Sequence, residues 1–426
     1  MPKRQYFKPF ILRKNSSAQR KSMQIAVIEG IPATIIANIL GGPILTAYLL
    51  FLHANSQQVG FVLAIPPLAN MIQIAAAFFM QKMENRKLWI LVTSIIHRSL
   101  WTMTGLIPFF VADHMQVAVF IGMFLVSFIS TSISGVIWSS LISDLVPAQV
   151  RGRYFGIRNT IHWAFASVTL LIGGQILERA ASEQTAFIIL FSIAGLSTVW
   201  NAFELARYPN PPFEKSQAAT GAERLLKPLK DRSFMLATLF IAGFILLQNT
   251  AVPLFSFVML DVLEISYTQL TVVTVVQMIV MMISYYYWGT LNSRIPTITL
   301  LLWSLPIIAL SCVIWIGMEI IPVIVVLVLV HILLGVGQGG YNLLAFNFMI
   351  GETPKADRPM YIAMFSAFTG LTGFIGPMIG GALYEWSEGG SMWIQSYGIS
   401  FFTGAAMLIV AVGIGPFILG RNKRRR

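Results

Sequence analysis

The stretch Ser143–Asn159, SDLVPAQVRGRYFGIRN, lies between two long apolar runs and recurs in weaker form near the other end of the chain. A shift of 207 residues places it on GETPKADRPMYIA. Six positions are then identical in one ungapped register, namely Pro147 with Pro354, Arg151 with Arg358, Tyr154 with Tyr361, and Ile172, Gly173 and Gly174 with Ile379, Gly380 and Gly381. A repeat that spans about half of the chain predicts two copies of one large module.

The composition indicates a membrane protein that crosses the bilayer many times. Of 426 residues, 56% are hydrophobic and 11% are charged, and the mean hydropathy is +0.74, a balance foreign to soluble domains of this length. The only cysteine, Cys312, lies in an apolar run, so an intrachain disulfide is excluded. The net charge of +12 has to be interpreted from where the basic residues lie.

Twelve apolar runs are long enough to cross a hydrocarbon core of about 30 Å. The first is too long for a signal-peptide core and is followed by no small-residue cleavage site, so it is interpreted as a retained span. The predicted spans are 22–52, 57–81, 88–111, 116–145, 154–178, 185–206, 233–260, 265–290, 296–318, 321–349, 359–385 and 393–419.

Lysine and arginine predict the orientation. With twelve spans, both termini and every second loop share one side of the membrane, and that side holds 26 of the 29 basic residues. The positive-inside rule therefore places both termini in the cytoplasm of a cell whose cytoplasmic membrane holds the protein. On this interpretation the basic tails set the topology and contact anionic lipid, and nucleic acid is not an expected partner.

The longest connection divides the chain in the middle. Its proline cluster is typical of a linker, while AERLLKPL can form a short amphipathic helix at the cytoplasmic interface. The predicted domains are a basic cytoplasmic segment, a first six-helix bundle, a cytoplasmic linker, a second six-helix bundle and a basic cytoplasmic tail, at 1–21, 22–207, 208–231, 232–420 and 421–426.

Two sets of six spans, a long middle loop and a DxxPxxxRGR motif after the fourth span resemble the major facilitator superfamily. The residues of that motif here are Asp144, Pro147, Arg151, Gly152 and Arg153. The resemblance covers essentially the whole chain. It implies an all-α membrane protein whose two pseudo-symmetric six-helix bundles rock about a site near the bilayer midplane, with helices one, four, seven and ten lining the cavity.

The charged motif residues of both halves are the candidate cytoplasmic gate. A second signature of the family, GxLaDRxGRK, is eroded after the second span, and its counterpart in the second half keeps Gly289, Leu291 and Arg294 but has Ser293 where the aspartate belongs. The gate candidates are Asp144, Pro147, Arg151, Gly152, Arg153, Arg294, Glu352, Pro354 and Arg358. The sequence GPxxGG at Gly376–Gly381 is interpreted as a site of close helix packing.

Ionisable residues inside a span cost about 2.5–3.5 kcal/mol each to insert, so they are candidates for function. Glu29 in the first span is the candidate proton-binding carboxylate, and Arg158 in the fifth lies at a depth compatible with an ion pair to it. The alternatives are a permanent structural pair and an arginine that reaches the interface. Arg98, near the midplane of the third span, is a candidate for bridging helices or for contacting substrate, and His162 lies one turn after Arg158.

In the second half the candidates are uncharged. Gln248 and Asn249 lie midway along the seventh span, while His331, Gln338 and Asn342 share one face of the tenth. Trp138 in the fourth span is a candidate for the same cavity or for packing. The surplus of arginine over glutamate at depth favours an anionic or zwitterionic substrate over a lipophilic cation.

The expected function is secondary active transport of a small solute by alternating access, with protons as the candidate coupling ion. The first alternative is a drug exporter of the same fold. In the antiporters of the family that the chain resembles, a signature similar to GPxxGG belongs to the fifth span, whereas here it lies in the eleventh, which argues against this alternative. The second alternative is a membrane sensor or scaffold, and the charged gate residues argue against it. No GxxxxGK[ST], HExxH or cysteine–histidine cluster occurs, so no ATP-driven step, no catalytic metal, no cofactor and no enzymatic activity are expected. One chain can enclose the pathway, so a monomer is expected.

Overall fold

The computed structural model describes residues 18–73, 75–76, 83–146, 148–210, 228–292, 294–351 and 358–420. These residues form helices and contain no strand. Eleven helical segments are long and apolar enough to cross a membrane. In the second predicted span the described helix, Ser56–Asn70, has 15 residues. The all-α membrane fold is confirmed.

The first half contains six spans, several of which are interrupted where a proline removes a backbone hydrogen bond or a glycine allows a bend. The first span bends between two helices at Gly41 and Gly42, and Gly42 has a φ of 53° that favours glycine. The helices of this half are Ala18–Ile39 with Gly42–Phe51, Ser56–Asn70, Arg86–Met103 with Ile107–Phe110, Asp113–Leu145, Ala148–Arg179 and Glu183–Ala206.

The second half contains the other six spans, with a short π-helical stretch in the seventh and two in the twelfth. Its helices are Arg232–Ala251 continued to Val262, Tyr267–Asn292, Thr297–Val313 continued to Glu319, Val323–Gly351, Arg358–Ser387, and Ile394–Gly398 continued to Gly420.

Successive spans run in opposite directions, which gives the molecule two faces. The terminal face is defined by the start of the first helix at Ala18 and the end of the last at Gly420, and the distal face is the opposite one. Within the halves, the third helix packs along the fourth, and the tenth packs between the eighth and ninth. Between the halves, the second helix packs along the eleventh and the fifth along the eighth.

The fifth helix begins earlier than the predicted residue 154. It begins at Ala148, so Arg151, Gly152 and Arg153 belong to its first turns and not to a loop. The prediction followed the apolar run and therefore missed a polar helical extension. Alanine, glutamine and arginine are all good helix formers, which is consistent with the longer helix.

The glycines of GPxxGG are used for close packing, as the sequence predicted. A Cβ on Gly381 would lie 2.6 Å from the backbone oxygen of Ser56 in the second helix. A Cβ on Gly376 would lie 2.6 Å from Cβ of Asn249 in the seventh. The eleventh helix therefore contacts the other half through one glycine face and its own half through another.

Candidate solute pathway

The two halves are hydrogen-bonded to each other on the distal face. Between described residues, six hydrogen bonds cross from one half to the other, and all six lie near that face. Glu385 accepts from Asn55 Nδ2 and Ser56 Oγ, each at 3.2 Å. The other four are Ser56 to the Gly381 carbonyl, Gln175 to Thr268, Tyr267 to Glu183, and the Thr268 backbone N–H to Glu178. We call these contacts the distal closure.

In the parts of the helices nearer the terminal face, several polar side chains are exposed. An exposed amide has no apolar surface to offer lipid, so exposed amides in these helices favour faces in contact with water. Asn70 also accepts a hydrogen bond of 3.2 Å from Ser132 of the fourth helix. We infer that these side chains border a water-filled space, which we call the vestibule. Its exposed polar residues are Asn70, Ser139, Asn159, Asn342 and Ser366.

Glu29 is buried inside the first half, at 4% exposure. Its Oε1 lies 3.5 Å from Nη2 of Arg98 and accepts a hydrogen bond of 2.9 Å from Nδ2 of Asn201. Its Oε2 accepts one of 3.3 Å from the hydroxyl of Tyr208. Burial and the neighbouring carboxylate raise the pKa of Tyr208 well above its usual value, so the phenol remains a donor. We call Glu29, Arg98, Asn201 and Tyr208 the Glu29 cluster.

The ion pair of Glu29 is therefore with Arg98, and the expected pair with Arg158 is wrong. The pairing with Arg158 rested on depth along the helices alone, whereas the direction in which a residue points around its helix decides its partner. Gly30, the next residue, faces the fifth helix, because a Cβ there would overlap the ring of His162. Neighbouring residues of a helix point about 100° apart, so Glu29 turns away from the fifth helix toward the third and sixth.

Arg158 is half-buried and contacts neutral groups. Its Nε donates to the Ala26 carbonyl at 3.4 Å, and its guanidinium carbon lies 4.8 Å from the centre of the Trp138 ring, a cation–π distance. Nε1 of Trp138 donates to the Tyr208 hydroxyl at 3.3 Å, which fixes the ring against the Glu29 cluster. His162 donates from Nε2 to the Val27 carbonyl at 3.1 Å, so it joins the fifth helix to the first.

On the tenth helix, Gln338 and Asn342 both contact the eighth. Gln338 accepts a hydrogen bond of 3.2 Å from Gln277, and Asn342 donates one of 3.3 Å to the Tyr285 hydroxyl. His331 is buried on the same side of the helix, and its Nδ1 donates to the carbonyl of Leu327 at 2.7 Å, one turn earlier in the same helix.

Gln248 and Asn249 of the seventh helix are separated by the helix geometry. Asn249 packs against Gly373 and Gly376 of the eleventh helix, next to Pro67 of the second. Oε1 of Gln248 is buried and has no partner among the described residues.

The predicted gate is only partly covered by the structure. Asp144 forms an ion pair of 2.6 Å with Arg86, whose Nη1 also donates to Ser140 at 2.8 Å. Arg294 is exposed in the loop after the eighth helix. Pro147, Glu352 and Pro354 lie outside the described residues, and Arg151, Gly152, Arg153 and Arg358 lie in helices whose side chains are not described there.

Several residues of these sites were missed in the sequence. Asn201 is the one asparagine inside the predicted sixth span, but it is not ionisable and so does not stand out by charge. Tyr208 was assigned to the linker, although it is 3% exposed and belongs to the Glu29 cluster. Glu385 and Ser56 lie at the ends of predicted spans, where polar residues are ordinary and carry no signal.

The sequence profile of the Major Facilitator Superfamily matches residues 30–330 and 239–426, which together include most of the chain. This chain therefore belongs to that superfamily. A search of curated protein sequences finds no match.

Solved structures confirm the fold. A mutant of the nucleoside transporter NupG superposes with a TM-score of 0.74 at 13% identity, covering 92% of this chain and 99% of the other. A bacterial homologue of the iron transporter ferroportin, in an inward-facing state, gives 0.71 at 13% identity, with 93% and 100% covered. The D-xylose–proton symporter gives 0.67 at 13% identity, with 92% and 97% covered. At these identities the likeness establishes the fold and not the substrate.

Proposed function

We propose that this protein is a secondary active transporter that moves a small solute across the cytoplasmic membrane by alternating access, as a monomer with both termini in the cytoplasm. The observation that carries this is that the hydrogen bonds between the halves lie on one side. They are hydrogen-bonded at the distal closure, while exposed polar side chains border a vestibule on the terminal face. This is the arrangement expected when one end of a central pathway is closed and the other is open.

Basic residues supply the orientation in this proposal. Residues on the terminal face precede the first helix, follow the last and fill every second loop, and they hold most of the lysines and arginines. The vestibule then opens to the cytoplasm. The motif charges around Asp144 and Arg86 lie on this side, where a gate would have to close for the solute to be released outside.

The direct test of transport is accumulation of labelled solutes in proteoliposomes made from the purified full-length chain. Candidate solutes are first selected by thermal stability, because a ligand at 100 times its Kd stabilises the folded state by about 2.7 kcal/mol. A solute that stabilises the protein but never crosses the membrane would favour a sensor over a transporter.

Proton coupling through Glu29 is the finer part of the proposal. A proton on Glu29 would cancel its half of the ion pair with Arg98 and loosen a contact between the first and third helices. We expect Glu29→Gln to abolish accumulation driven by a pH gradient while downhill exchange of the same solute continues. Glu84→Gln, at an exposed loop position, is the control. Wild-type accumulation by Glu29→Gln would show that coupling does not pass through this residue.

A further inference from the structure

Of the two arginines that lie within predicted spans of the first half, one is neutralised by a carboxylate and one is not. Arg98 is 14% exposed and pairs with Glu29 within the bundle. Arg158 has no carboxylate within ion-pair distance among the described residues, and its Nη atoms make no hydrogen bond to them. Two guanidinium groups around one carboxylate leave a surplus of one positive charge, and it resides on Arg158.

This charge is held in place, and part of the side chain stays accessible. Trp138 covers one face of the guanidinium, and the bond from Nε to Ala26 fixes its inner edge. Arg158 itself is half-buried, so part of its side chain is accessible. Gly174, where the fifth helix meets the eighth in the distal closure, lies sixteen residues further on, about 24 Å away at 1.5 Å per residue. Arg158 therefore lies far from the distal closure, in the half of the fifth helix nearer the terminal face.

The free edge of Arg158 suits a carboxylate. Once Nε is used, Nη1 and Nη2 still present two parallel donors, and a carboxylate accepts such a pair through both oxygens. One surplus positive charge balances a singly charged anion, and a doubly charged one would leave negative charge at the edge of the hydrocarbon region.

The second half offers neutral hydrogen bonds to the rest of such a solute. The internal repeat places Trp138 at the level of Ala345, so Asn342 and Gln338 lie within two turns of the depth of Trp138, across the pathway. Gln338 uses its amide oxygen and Asn342 its amide nitrogen to bond the eighth helix. The amide nitrogen of Gln338 and the amide oxygen of Asn342 are left to bind a solute. Away from the helix ends, the described residues of this half include no carboxylate, so nothing there would pair with an ammonium group.

We propose that the solute is a small hydroxylated monocarboxylate, whose carboxylate binds Arg158 and whose hydroxyl groups bind Asn342 and Gln338. This inference rests on the proposed transport function and specifies its substrate class. The site favours hydroxy acids over amino acids. Arg158 would bind the carboxylate of either, but Asn342 and Gln338 are neutral amides that suit hydroxyl groups and would not neutralise an ammonium group.

The test is a matched series in which only the charge changes: gluconate, glucose, glucosamine and glucarate. We expect gluconate to raise the unfolding temperature of the full-length protein most. Arg158→Met keeps the aliphatic stem and should weaken apparent gluconate binding by about tenfold or more. Arg158→Lys keeps the charge but cannot donate two parallel hydrogen bonds to one carboxylate, so its gluconate affinity should be intermediate. Asn342→Leu should weaken gluconate binding too. The control Lys230→Met removes an exposed positive charge outside the vestibule and should bind as wild type does.

Three outcomes would overturn the inference. They are equal stabilisation by gluconate and glucose, gluconate binding that survives Arg158→Met, and no stabilisation by any of the four solutes. The transport proposal would still stand if another solute accumulates in proteoliposomes, so the two ideas fail separately. Stabilisation by glucosamine alone would shift the substrate to a cation and also contradict the role of Arg158.

Discussion

Arg98→Met is expected to lower the free energy of unfolding by about 3–5 kcal/mol. The substitution leaves the Glu29 carboxylate in a bundle interior where it is 4% exposed, with only Asn201 and Tyr208 as donors. Removing one partner of a buried ion pair costs far more than the pair contributes, because the remaining charge keeps its desolvation penalty. Chemical unfolding of the purified protein, followed by tryptophan fluorescence, would measure the difference.

The matched control is Arg158→Met, the same substitution at an arginine with no buried carboxylate to leave behind. It is half-buried, and we expect its effect to stay below about 1 kcal/mol, from the loss of the Trp138 contact. The double variant Glu29→Gln with Arg98→Met should be more stable than Arg98→Met alone, since no unpaired charge remains. If Arg98→Met and Arg158→Met destabilise equally, the ion pair is not what holds the first half together.

The two substitutions separate stability from substrate binding. Substitution of Arg98 should lower the free energy of unfolding, whereas substitution of Arg158 should weaken solute binding and transport. Arg98 and Arg158 both lie within spans of the first half, so the sequence alone could not show which arginine stabilises the fold and which binds solute. The division depends on which of them Glu29 faces.

The fold was predictable from the sequence because it depends on gross features. Apolar length, the sidedness of lysine and arginine, and the 207-residue repeat each constrain many residues at once, so small local errors cancel. The close packing of the GPxxGG glycines was predictable for a similar reason: a glycine in a membrane helix has few other uses.

The details of the site were less predictable, because they depend on direction around a helix and on neighbours far away in sequence. Glu29 and Asn201 are separated by 172 residues, and no local pattern links them. Gln248 and Asn249 illustrate the same limit within one helix, since adjacent residues cannot both face the pathway. The distal closure could not be predicted from the sequence, because its carboxylates lie at helix ends, where charged residues are common.

Gly381→Leu is expected to keep the distal closure from forming. A Cβ there would lie 2.6 Å from the Ser56 oxygen, 3.0 Å from Cα of Gln57 and 3.3 Å from Cα of Gly60, all backbone atoms that cannot rotate away. Overpacking of this kind costs about 1–3 kcal/mol, which corresponds to about a 5- to 150-fold shift away from the closed distal side. Because alternating access requires both states, we expect transport to fall by about tenfold or more.

A single reporter cysteine would measure the shift. Thr271→Cys lies against Gly174 between the fifth and eighth helices, is 2% exposed, and is far from the second and eleventh helices in sequence. An impermeant maleimide added from the distal side should label it slowly in the parent protein and at least about tenfold faster with Gly381→Leu. The native Cys312 is fully buried and should stay unlabelled.

Gly122→Leu and Gly243→Leu are the matched controls, because a Cβ at either position meets no atom within 4 Å. Both change a helical glycine to leucine, so they reproduce any general effect of the substitution on helix stability. They should label and transport as the parent protein does. If Gly381→Leu also labels slowly and transports normally, the contact between the second and eleventh helices is not part of the cycle, and the distal closure would have to be released through the fifth and eighth helices alone.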